Sequence, residues 1–314
     1  MAPQVDIVLP GDTSKRCPFT ILIIANSWLE SPRNSGNFVS DPVIAQPAAF
    51  KQSVSYICDS LFCKLANQVD PVLSDFRIGP NVRVISVFDV SAAQSDSCSL
   101  VAEHEVDARL LVPRRQQCAS IGSSYGIEPD IVFAVTASPT HTRASAFFST
   151  DDPSRAGVLF TASTLGPQTF MHCYYASIPG TIAIHISADF LTASHEFMHA
   201  ISSYNNGSLV DLYAPGGPGL NRVLGRPIPV AFGSYQASQY QSDPSRDHLS
   251  YPYNWRSIHC ELIDPACPAM MDNYYQTSVP NACQNDRITR DFVMDRLLVK
   301  IGRPDTVKGG GIVS

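Results

Sequence analysis

The chain has 314 residues, 44% of them apolar and only 16% charged, a balance that suits a folded core and excludes an intrinsically disordered chain. Its net charge of −6, with Lys and Arg thinly spread, leaves no basic stripe for nucleic acid or for an anionic membrane face. The longest largely apolar runs, Phe19 to Ala25 and Ile131 to Val135, are far too short to span a membrane.

Met1 to Lys15 has no basic head followed by an apolar stretch, so it does not read as a secretory signal. Nine cysteines, with few Lys and much Ser, Pro and Asn, would suit an oxidising compartment, which leaves a trimmed secreted protein and a reduced intracellular one both open. The odd number leaves one thiol over unless it bridges to another chain. Cys58 and Cys63, five apart on an expected helix, face different ways and are not expected to pair.

Three buried strands are expected first, at Phe19–Ala25, Val82–Val90 and Asp130–Thr136, each rich in Val, Ile and Phe. Between the first two, Phe50, Val54, Ile57, Leu61 and Leu65 recur at spacings of three and four and predict a helix over about 48–69. A second helix is expected at about 100–111. This alternation is the signal of a layered arrangement of helices on a sheet. Shorter strands are expected at Gly157–Ala162 and Thr181–Ser187. The latter has an edge-like alternation, with Ile182, Ile184 and Ile186 on one face and Ala183 and His185 on the other. Beyond Gly207 the chain turns to loop chemistry, with Gly and Pro dense over 214–229, until a final helix at about 290–301. The whole is expected to be one α+β domain, with a regular part over about 17–207 and a loop-rich part over about 208–314.

The segment Asp189–Asn206 predicts a capped amphipathic helix carrying His195-Glu196-Phe197-Met198-His199. Imidazoles four residues apart project from one helix face, where two ring nitrogens can grip one Zn2+. Glu196 stands beside that metal and can take a proton from the attacking water. With eight His and six Glu in the chain, a chance HExxH is expected roughly once in a few hundred such sequences. A catalytic zinc also needs a third protein ligand. Asp211 can return to the metal after a turn at Gly207, since four extended residues reach about 13 Å. Glu261, in His259-Cys260-Glu261, is the other candidate carboxylate; Asp211 is preferred because its closeness in sequence needs no further folding assumption.

His195–His199 followed by Gly207-Ser208-Leu209-Val210-Asp211 resembles the aspzincin arrangement of deuterolysin-type endopeptidases. Leu209-Val210-Asp211-Leu212-Tyr213 also resembles the segment that follows the HExxH helix in IgA-peptidase-like metallopeptidases. The resemblance covers about residues 181–213, and Ser208 stands where deuterolysins have Thr. It implies a zincin-like fold, Asp211 as third zinc ligand, Glu196 as base, and a peptide or protein substrate, cut within the chain rather than at its ends.

Cys267-Pro268-Ala269-Met270-Met271-Asp272-Asn273-Tyr274-Tyr275 resembles the methionine-containing turn beneath the metal in several zincins, and is expected near the site. Tyr213, Tyr274 and His248 are candidate donors to a developing oxyanion. Two other readings stand beside this one. The fold could bind a partner without catalysis, although the retained Glu196 argues against a purely structural site. Ser124, in Gly122-Ser123-Ser124-Tyr125-Gly126, matches a serine-hydrolase nucleophile pattern, but it precedes a strand where an elbow must follow one.

Overall fold

The computed structural model describes residues 2–14, 18–30, 35–62, 71–103, 111–139, 144–147, 149, 179–188, 190–202, 208–209, 257–258, 270–271 and 287–302. The expected strand at Gly157–Ala162 and the loop-rich stretch at 214–229 lie outside them.

A six-stranded sheet forms the centre of the described structure. Its strands are β1 (Gln4–Leu9), β2 (Phe19–Ala25), β5 (Val82–Phe88), β8 (Ile131–Thr136), β9 (Ala144–Phe147) and β10 (Gly180–His185), in the spatial order β1-β5-β2-β8-β10-β9. The four inner strands run parallel, and β1 and β9 close the two ends antiparallel. Every residue of β2 and β8 is buried, as expected of parallel strands covered on both faces.

The two faces have different cover. Ile21 and Ile23 of β2 point towards α1 (Pro47–Phe62) and α3 (Phe190–Ile201), together with Phe133, Ile182 and Ile184. Leu22 and Ile24 point the other way, towards Cys118 and Ile121 of α2 (Arg115–Ile121). The helix α4 (Arg287–Ile301) joins the first layer through Val293 and Leu297. The result is a mixed α and β architecture, as the sequence pattern implies. Among the described residues no helix is long and apolar enough to cross a membrane.

The helix α1 starts with Pro47, which fits the first helical position because its missing N–H would have had no partner there. Its buried stripe of Phe50, Val54, Ile57 and Leu61 follows the predicted spacing, while Leu65 and the rest of the helix expected to about 69 lie outside the described residues. The buried Ser53 and Ser60 lie among these apolar positions, and Ser60 meets Ser194 of α3 at 2.7 Å, hydroxyl to hydroxyl. Small side chains at this contact let the two helices approach closely.

Several expectations need correction. At both ends of the helix expected over about 100–111 stand antiparallel strands, β6 (Val101–Glu103) and β7 (Leu111–Pro113), in a second sheet of order β4-β3-β6-β7, and 104–110 lie outside the described residues. Here β3 is Trp28–Glu30 and β4 is Phe38–Ser40. The Leu100 amide donates to the buried Asn26 Oδ1 at 2.8 Å, and Leu29 of β3 pairs with Val101, so long-range partners hold the backbone extended. β10 is an interior strand, not an edge, because β9 pairs along its outer side. The Gly122–Gly126 segment is a helix-to-strand turn, as expected, with Gly126 at φ 68°. Ser124 lies exposed on it, after α2 and before β8. Cys98 and Cys118 are free thiols, and burial pushes the Cys118 thiol up to about 12.

Candidate metal centre

The helix α3 is buried on nearly every side, with Leu191, Ala193, Phe197, Met198, Ala200 and Ile201 all in the core. A 12-residue helix enclosed in this way is fixed by packing rather than by propensity. It begins just past β10, contacts β9 and β10 of the sheet, and packs against α1 and α4. His195 is 4% exposed and Glu196 7%, while His199 is half-buried.

The two imidazoles stand one helical turn apart, with ring centroids 4.9 Å apart and planes at 83°. Each is oriented by a backbone carbonyl from a distant segment. His195 Nδ1 donates to the Met270 carbonyl at 2.7 Å, and His199 Nδ1 donates to the Leu209 carbonyl at 2.8 Å. A carbonyl can only accept, so each Nδ1 carries a proton, and in the neutral ring the lone pair is then on Nε2. Carbonyls set behind histidines in this way select the tautomer needed for ligation through Nε2 and fix the ring plane.

Met270 and Met271 are 1% and 0% exposed and belong to the same core as Phe197 and Met198. The methionine segment thus meets His195 through a main-chain atom as well as through packing. Leu209 ends the short strand β11 (Ser208–Leu209), which pairs in parallel with β12 (Ser257–Ile258), Leu209 opposite Ile258. The motif helix, expected to reach Asn206, ends at Ile201 within the described residues; the expected continuation at 203–206 lies outside them. Its end is marked by Ser202, whose amide donates to the His199 carbonyl at 3.2 Å, three residues back.

His185, ten residues before His195, is held by its own turn instead: the Ser187 amide donates to its Nδ1 at 3.1 Å. Burial, the largest influence, lowers its pKa, while nearby Asp41 and the main chain at Ser138 and Ala137 oppose the shift.

Asp211, Tyr213, His248, Glu261 and Tyr274 all lie outside the described residues. Among the described residues no group of three or more His, Cys, Asp or Glu side chains forms a metal cluster. The described donors, two carbonyl-oriented imidazoles on one helix, fit two positions of a zinc site and leave a third to be supplied from elsewhere. Sequence reasoning missed the Leu209 carbonyl; no side-chain type marks a main-chain acceptor, and only the fold brings it to His199.

Comparison with known proteins adds no relative. No family model matches the chain, and no curated protein or solved structure matches it significantly.

Proposed function

We propose that this chain is a zinc-dependent peptidase of zincin-like fold, with His195 and His199 as ligands and Glu196 as the general base. The observation that carries the reading is the pair of Nδ1-to-carbonyl hydrogen bonds at 2.7 and 2.8 Å, which present both Nε2 atoms of an HExxH helix as ligands.

A bound zinc would supply a Lewis acid that brings the pKa of a water down to about 7. The chain's own groups do the rest. The imidazoles hold their lone pairs on one side of α3. Glu196 accepts the proton of the attacking water and returns it to the leaving amine nitrogen. Its 7% exposure keeps bulk water from competing for that proton.

Asp211 is the proposed third ligand. It follows Leu209, whose carbonyl touches His199, by only two residues, or at most about 7 Å of extended chain. Glu261 follows Ile258, the residue opposite Leu209, by three residues and remains the competing carboxylate.

Metal analysis of the purified chain should find zinc, and cleavage of a mixed peptide library should stop on chelation. Glu196→Gln should lower cleavage by about 10²–10⁴-fold while zinc stays bound. Cleavage that survives both treatments, or an absence of zinc, would sink the reading; zinc without cleavage would favour a binding protein. Asp211→Ala should weaken zinc binding far more than Glu261→Ala, and the reverse order would reassign the third ligand.

A further inference from the structure

We propose that Ser202 is a positioning residue for His199, and that its hydroxyl ties the Leu209 strand to the end of the motif helix. The role of the site it serves rests on the zinc reading above. Ser202 is 0% exposed. Its hydroxyl donates to the Met198 carbonyl at 2.8 Å, one turn back on α3, and accepts the Leu209 amide at 3.0 Å. The carbonyl of the same Leu209 accepts from His199 Nδ1 at 2.8 Å. A closed circuit results, in which Ser202 holds the amide of Leu209 to the helix end while His199 of the same helix holds its carbonyl.

The main chain of Ser202 joins a third segment to the same point. The Ser149 amide donates to the carbonyls of Ala200 and Ser202, each at 3.2 Å, and the Ser149 hydroxyl donates to the Ser202 carbonyl at 3.3 Å. Ser149 lies two residues beyond β9, so the helix end, the edge strand and the Leu209 strand converge on Ser202. The residue type follows from these bonds. A hydroxyl can donate and accept at once, whereas Ala does neither and leaves the buried Leu209 amide without its acceptor. Leu209 then keeps its pairing with Ile258 but loses the bond that ties its amide to the end of α3, and with it a constraint that sets its carbonyl against His199.

The test uses the full-length chain labelled with 15N, free of metal, under alkaline conditions where imidazoles are neutral. Imidazole nitrogen shifts report which nitrogen carries the proton, and competition with a chromophoric chelator gives the zinc dissociation constant. In the wild type both histidines should carry the proton on Nδ1. In Ser202→Ala, His199 should lose its single tautomer, His195 should keep its own, and zinc affinity should fall by about tenfold. Ser202→Cys, which keeps most of the volume but offers a poor acceptor, should show the same pattern. Ser60→Ala removes a buried serine contact on another side of α3 and should lower the melting temperature with both tautomers and zinc affinity unchanged. Wild-type behaviour of His199 in both Ser202 variants would overturn the proposal. So would failure of both to fold while Ser60→Ala folds, which would make Ser202 a structural residue only. If the wild type binds no zinc, the zinc reading falls, but the tautomer of His199 in the metal-free variants still decides the role of Ser202.

Discussion

Asp41 is 1% exposed, and four donors saturate its carboxylate. The Val43 and Ala137 amides donate to Oδ1 at 2.9 and 3.0 Å, and Asn26 Nδ2 (2.8 Å) and the Thr136 hydroxyl donate to Oδ2. The same side chain caps the 3-10 turn at Pro42–Ala45 that leads into α1, while Asn26 and Thr136 sit at the ends of β2 and β8. One carboxylate therefore fixes the helix that supports α3 to the strands beneath it. Asp41→Ala would strand several buried donors at once, and urea unfolding should show a loss of about 3 kcal/mol. A loss below about 1 kcal/mol would mean that water or a neighbour satisfies them. Nothing in the sequence marks Asp41 as buried, because its partners come from positions 26, 43, 136 and 137. His195, Glu196 and His199 were readable for the opposite reason: their relation is a spacing of four along one helix.

Elements divide in the same way. The buried strands β2, β5, β8 and β10 and the helices α1, α3 and α4 carry enough periodic apolar residues to be read in the sequence, with ends displaced by a few positions. The strands β3, β4, β6, β7 and β9 have three or four residues each and exist through their pairing, which no local pattern records. Gly180 shows how closely two readable elements meet. A Cβ there would lie 2.2 Å from the Ala200 carbonyl oxygen of α3 and 2.7 Å from Ile131 Cδ1 of β8. Main chain cannot rotate aside as a side chain can, so Gly180→Ala must push the end of α3 away from the start of β10. Thermal unfolding should report a destabilisation of about 2–3 kcal/mol, whereas Gly to Ala in an open strand is ordinarily favourable. A neutral result would show that α3 can slide, and that its seat on the sheet is looser than the contact implies.

Taken together, the described residues join a broad sheet, buried on both faces at its centre, to two histidines whose ring partners come from two other segments of the chain. Leu209 belongs to a two-residue strand, and Met270 and Met271 form an isolated turn among the described residues. The histidine end of the site was legible, and the methionine segment was expected near it, while the carbonyls of 209 and 270 that hold the imidazoles were not, since main-chain acceptors reach α3 only through the tertiary fold. This asymmetry bears on isotope exchange. Amides of Ile21 to Ile24, in a strand paired on both sides and fully enclosed, should exchange with deuterium only through global unfolding. The Leu209 amide, held by a serine hydroxyl and one short strand pair, should open locally and exchange far sooner. Equal protection at both places would show that the site and the sheet open as one unit. If they open separately, the Leu209 contact can break while the sheet stays intact, and on the zinc reading proposed above the metal would be loaded or stripped on a timescale set by that local opening rather than by the stability of the domain.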